Sequence, residues 1–215
     1  MYTLKASPAI GQSGIYNIPV TYTDGSKKIV TIKITMPTLN YWTKADKASA
    51  RTKLLVVING FRSAVNVSPV TLDTTPEHQT YLNQRAAEKV KQFAETGATD
   101  HSGKTLYKQF GVTSDEDLGY LEVDAGLPLK EQVKRFVTYT NNTVQAEKDD
   151  YEASDIRHER HNLTTPSHTV GHYLGYIDSS SKKFVIGIGT YTSGKRPYNL
   201  MCKDEQFLKV NQNWV

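Results

Sequence analysis

YNIPVTYTDGSKKIVTIKIT, residues Tyr16 to Thr35, is the stretch that sets the fold class. Two alternating arms flank Asp24-Gly25, a pair able to supply the positive φ angles of a tight primed turn, so the segment reads as an antiparallel β-hairpin. Val20 and Tyr22 share a face with Val30, Ile32 and Ile34. The other face carries Thr21, Thr31 and Lys33, the pattern of a sheet that is wet on one side.

Outward from the hairpin, Leu54-Leu55-Val56-Val57-Ile58 is a short continuous apolar run and predicts a central strand buried on both faces. Thr74-Thr75-Pro76-Glu77 combines N-cap candidates, a first-turn proline and a glutamate placed for a capping box. Leu82, Ala86, Val90 and Phe93 then recur at helical spacing until Gly97 ends the helix. A short helix capped by Ser114 is expected above Asp115, Glu116 and Asp117. A second long helix is expected from Pro128 to about Tyr151, with Val133, Val137, Thr140 and Val144 on one stripe. Beyond Pro166, Tyr173 to Ile177 and Phe184 to Thr192 read as two strands about a polar turn at 178–183. Gly187 and Gly189 leave one face of the second arm bare, where another backbone can approach closely. The tail from Asp204 to Val210 is expected to add one or two helical turns.

These elements make a β-rich α+β fold: antiparallel β-hairpins and a central buried strand with two longer helices. A chain of 215 residues suits a single domain over 1–215, with an elaborated edge from 152 onward. Hydrophobic residues at 38% and charged residues at 22% argue for a folded, polar protein rather than a disordered one. The net charge of +4 is too small to announce nucleic-acid binding. Cys202 is the single cysteine, which excludes an internal disulfide framework and suits a reducing compartment. No apolar run approaches the roughly 20 residues of a membrane span, and the first residues lack a signal-peptide core. The expected location is cytoplasmic or within an assembled particle, with no membrane partner.

Four of the six histidines, His158, His161, His168 and His172, fall within fifteen residues. The last two head the string H-T-V-G-H-Y-L-G-Y-I-D, which resembles the extended zincin pattern over about eleven residues. The resemblance implies zinc held by His168, His172 and Asp178, with Gly175 where the helix turns away. Thr169 stands where zincins carry the general-base glutamate, so it implies at most a metal site without peptidase chemistry. Two histidines at i and i+4 share an ion on a helix, where their Cβ atoms lie roughly 6 Å apart, but not on a strand, where they lie about 13 Å apart. Thr169, Val170, Gly171 and Gly175 disfavour a helix, and a strand is predicted. Apart from zinc, no cofactor is implied: P-loop, nucleophile elbow and dinucleotide fingerprint are all missing.

His158 and His161 sit in an R-H-E-R-H run that reads as a solvated face. Lys195, Arg196, Tyr191 and Tyr198 mix base and aromatic in one loop, able to meet phosphate and stack a base; Tyr41, Trp42 and Lys44 suggest a second such patch. No enzymatic constellation is complete. The favoured expectation is a non-enzymatic structural or interaction protein, a subunit of a homo- or hetero-oligomeric assembly such as a virus or bacteriophage particle. A degenerate zincin-like domain and a nucleic-acid-associated protein are the alternatives.

Overall fold

A computed structural model describes residues 3–4, 14–35, 38–98, 100–103, 105–112, 114–153, 170–192 and 198–209. The chain divides into two units, residues 1–39 and 40–215. Its class is α+β, but helix takes 49% and strand 28%, so it is not especially rich in β structure.

The first unit is a three-stranded antiparallel sheet of β1 (Thr3–Leu4), β2 (Gly14–Thr21) and β3 (Lys27–Ile34), in that order. The hairpin is as expected; its turn is not a two-residue primed turn. Tyr22 N–H donates to Ser26 O at 2.8 Å and Gly25 N–H to Tyr22 O at 3.0 Å, which encloses the three-residue loop 23–25. Gly25 adopts φ +84°, as in a turn closed by a glycine bulge. Ile18 and Val20 are buried, whereas Val30 and Ile32 on the same face are 37% and 40% exposed. β3 is therefore open on both faces, not on one.

The second unit contains α1 (Lys44–Ala64), β4 (Thr71–Leu72), α2 (Pro76–Thr96), α3 (Leu106–Phe110), β5 (Ser114–Asp124), α4 (Leu129–Ala153), α5 (Gly171–Ile177), β6 (Ser181–Thr192) and β7 (Tyr198–Lys209). Its sheet has the order β4-β6-β7-β5, with β4 parallel to β6 and the other pairs antiparallel. Phe184, Ile186, Ile188 and Phe207 pack against α1, α4 and α5 on one face, and Val185 and Leu208 meet Leu82 of α2 and Leu106 of α3 on the other. Each fully buried side chain of this size contributes about 1.5–3 kcal/mol.

Two long helices are where the sequence places them. α2 ends at Gly97, in the left-handed region at φ 68°, and α4 buries Val133, Thr140 and Val144. The capping box expected of Thr74 and Glu77 is not formed: the N-cap is Thr75, and its hydroxyl donates to Asp73 instead. α2 lies directly on the bare face of β6: a Cβ on Gly187 would stand 2.0 Å from Leu82 O, and one on Gly189 2.2 Å from Ala86 O.

Four local expectations are corrected. Leu54 to Ile58 is the middle of helix α1, not a strand. A full capping box between Thr43 and Asp46 starts that helix, and Ala50, Leu54, Ile58 and Phe61 form its buried stripe while Val56 stays 69% exposed. Ser114 opens an eleven-residue strand, because alternation sends Glu116 to the α2 side, against Arg85, and Asp117 to the α5 side. Residues 204–209 belong to strand β7, where Lys203 and Glu205, two apart, point the same way. Residues 171–177 form a helix rather than a strand.

Candidate functional site

Helix α5 carries poor local signals and is held at both ends by distant side chains. Val170, its N-cap, offers no side-chain hydrogen bond. Glu147 of α4 takes over that role: its Oε2 accepts the Tyr173 N–H at 3.0 Å, and its Oε1 lies 2.6 Å from His172 Nδ1. At the other end Arg62 of α1, fully buried, donates to Tyr176 O (2.7 Å), Asp178 O (3.0 Å), Ser181 O (3.1 Å) and Ser68 O (2.6 Å).

His172 Nε2 is 3.0 Å from Leu118 O of β5. Both ring nitrogens thus face acceptors, the arrangement of an imidazolium with two donated bonds. Burial opposes the charge, but the Glu147 hydrogen bond and the Asp117 and Glu147 carboxylates outweigh it, and the His172 pKa is raised. Around it lies a buried ionisable cluster. Lys203 pairs with Glu205; Tyr176 Oη donates to the Glu205 carboxylate at 2.9 Å and stands 3.5 Å from Lys203 Nζ. Burial, with Glu205 and Asp117 nearby, holds the Tyr176 phenol well above its ordinary value.

Asp117 Oδ2 is buried without a hydrogen-bond partner and reaches α5 at Gly175, where a Cβ would come within 2.8 Å of it. Burial foremost pushes the Asp117 carboxyl up to about 7, with Glu205 and Glu147 adding to the rise and His172 and Lys203 opposing it. Three carboxyls thus face two cations, and a proton on Asp117 makes the group electroneutral. A cleft of about 320 Å³ reaches the edge of this cluster at His172 and Lys203, walled by Phe93, Tyr120 and Tyr139; Thr140 Oγ1 is buried there without a partner.

Side chains occupy particular main-chain groups on the edges of the four-stranded sheet. Past its short pairing with β4, β6 has its Ile186 carbonyl taken by Arg51 Nε (2.9 Å) and Gln79 Nε2 (2.7 Å), and its Ile188 N–H by Asn83 Oδ1 (3.2 Å). On the opposite edge His172 covers Leu118 O of β5. Each such contact occupies a group that an added strand would have to pair with. β3 contrasts with both. Among the described residues it pairs only with β2, and it is exposed from Lys27 to Lys33. Tyr22 and Ser26 make a hydrogen-bonded pair, so alternation makes Val20–Lys28, Ile18–Val30 and Tyr16–Ile32 hydrogen-bonded as well. Lys27, Ile29, Thr31 and Lys33 therefore turn N–H and C=O away from β2. Pro19, opposite Ile29, falls where its missing N–H removes no bond to β3.

Of the residues proposed for zinc, His172 has the partners given above, and Asp178 Oδ1 accepts the Ser180 N–H at 2.8 Å. His168 lies outside the described residues, as do His158, His161 and their neighbouring arginines. α5 begins at Gly171, inside the motif, so the described part supplies no helical turn shared by the two motif histidines. Among the described residues no three metal-ligating side chains converge. His78 pairs with Asp73 at 2.6 Å and His101 with Glu116 at 2.8 Å, both alongside structural ion pairs.

In the basic aromatic loop, Lys195 and Arg196 are outside the described residues, as is the Tyr198 side chain. The Tyr191 side chain packs against Ala86 and Val90 of α2. The second patch is not a surface pair: Tyr41 is exposed, but Trp42 is buried and its indole donates to Gln132 Oε1 at 3.0 Å. No described helix is long and apolar enough to cross a membrane. The alternation of β3 was visible in the sequence; that among the described residues it pairs only with β2 was not.

No family model matches the chain, and no curated protein matches it. Among solved structures it is similar to an outer surface protein from Borrelia burgdorferi, with 15% identity and a TM-score of 0.38, covering 81% of this chain and 100% of that one. It is also similar to Na-ASP-1, with 12% identity and a TM-score of 0.39; the match covers 86% of this chain and 45% of that longer one.

Proposed function

We propose that this chain is a non-enzymatic interaction protein, a subunit of a larger assembly of the kind that builds virus or bacteriophage particles, and that it engages its neighbours through β3. One observation carries the reading: β3 is an eight-residue edge strand with Ile29 66% exposed on one face and Val30 and Ile32 exposed on the other. An open edge with aliphatic side chains on both faces favours pairing with another chain. The β6 edge of the other sheet supports this, because Arg51, Gln79 and Asn83 occupy main-chain groups there that an added strand would need.

Amide hydrogen exchange of the free chain and of the chain recovered in its native particle tests the proposal. Slowed exchange at Ile29 and Thr31 in the particle is the expected result. A chain that remains a monomer in its native setting, with β3 exchanging as fast as when purified, overturns it.

A further inference from the structure

Resting on that reading, we infer that the partner of β3 is an acidic, extended segment of a different protein, which adds as a fourth strand beyond Lys27–Lys33. Four alternate residues of β3 turn their main-chain groups outward, enough for a continuous ladder with a strand of about seven residues. Their side chains run Lys27, Ile29, Thr31, Lys33, so two β-branched residues lie between two cations on one face. Neither β2 nor β3 carries a carboxylate. The one acid in the hairpin, Asp24, is engaged in the turn by the Ser26 N–H (2.8 Å) and hydroxyl (2.6 Å).

The same charges disfavour a second copy of this chain. Each β3 brings Lys27, Lys28 and Lys33, so pairing two copies places six lysines and no carboxylate on one ribbon. Antiparallel pairing centred on Val30 sets Lys27 against Lys33 at both ends, and like charges directly opposite are destabilising. A complementary strand has carboxylates six residues apart and β-branched residues at the two same-face positions between them. Lysines thus guard the edge against self-association while selecting an acidic partner.

A synthetic ten-residue peptide of alternating valine and threonine, with two glutamates six residues apart, is the probe, and its lysine counterpart is the control. Binding to the full chain is read by fluorescence anisotropy and by amide exchange at Ile29 and Thr31. The glutamate peptide should bind and slow both amides; the lysine peptide should not. The double variant Lys27→Glu/Lys33→Glu should weaken the glutamate peptide by about tenfold, as expected for two cross-strand ion pairs. Thr31→Pro removes an outward N–H without removing a main-chain bond to β2, and of the side-chain bonds it loses the exposed one from the Thr31 hydroxyl to Asn17 Oδ1 (2.8 Å), so it should abolish binding while leaving the circular dichroism spectrum and melting temperature near those of the parent.

Equal binding of the two peptides, or unchanged binding by Thr31→Pro, overturns the inference. So does binding of a duplex DNA or an anionic vesicle that depends on the lysines and ignores Thr31→Pro, since that marks a general polyanion surface. β3 protected in the native particle by a neutral or basic strand defeats this inference and leaves the assembly reading standing.

Discussion

Gly187→Ala puts a methyl group where the carbonyl of Leu82 already lies. The new Cβ would be 2.0 Å from Leu82 O and 2.3 Å from Leu82 C, against about 3.4 Å for ordinary contact, so α2 must withdraw by about 1.4 Å. No rotamer change relieves the clash, because the obstacle is helix backbone. A gap of that size forfeits much of the dispersion contact that Leu82, Ala86 and Val90 make with the sheet. Overpacking costs typically about 1–3 kcal/mol, and this case belongs at the upper end; the alanine gains back about 0.4–1 kcal/mol by restricting the unfolded chain. The expected net loss is about 2–2.6 kcal/mol. Gly189→Ala meets Ala86 O at 2.2 Å, one turn along the same helix, and should cost about as much. One withdrawal of α2 relieves both clashes, so the double variant should cost at least about 1 kcal/mol less than the sum. Gly60→Ala is the control. It lies within α1 with nothing within 4 Å of its would-be Cβ, and should stabilise by up to about 1 kcal/mol. Urea unfolding followed by circular dichroism measures all four. Additive single costs, or a Gly187→Ala cost below about 0.5 kcal/mol, refute the close-packed α2–β6 contact.

The buried cluster makes stability depend on pH in a definite direction. Between about 4 and about 7 the folded Asp117 keeps its proton while the unfolded chain has lost it, so stability falls as pH rises through that window and levels above it. The raised pKa of His172 extends the fall above pH 6.5. Melting temperatures from pH 4 to 8 should decline less steeply for Asp117→Asn than for the parent, and parallel curves would refute the assignment. Arg62→Met strips a buried guanidinium from four carbonyls and should cost at least about 3 kcal/mol by urea unfolding, with α5 exchanging fastest. A cost below about 1 kcal/mol would show that water replaces it.

The elements legible in the sequence are those whose signals are local. The arms of the hairpin, the stripes and ends of α2 and α4, and the bare face at Gly187 and Gly189 were all readable from spacing. α1 was misread because five consecutive apolar residues look like a buried strand; the Thr43–Asp46 box that starts the helix lies eleven residues ahead of Leu54. β5 and β7 were misread because runs of charge resemble helix turns until alternation assigns each residue to a different neighbour. Of the candidate site, the alternation of β3 could be read, but not the exposure of Val30 and Ile32, nor that among the described residues β3 pairs only with β2.

The chemistry and the pattern belong to the sequence: His172 within an almost complete zinc motif, three lysines on an acid-free strand, and glycines at alternate positions of a strand. Their partners belong to the tertiary structure. α5 is a helix because Glu147 and Arg62, from helices 25 and 109 residues away from His172 and Gly171 respectively, satisfy the open N–H and C=O groups at its two ends. The same Glu147, together with Leu118 O, occupies the imidazole that looked like a metal ligand. Propensity weighs fractions of a kcal/mol per residue, whereas leaving such buried groups unpaired costs about 1–3 kcal/mol each, so the distant contacts decide the local conformation.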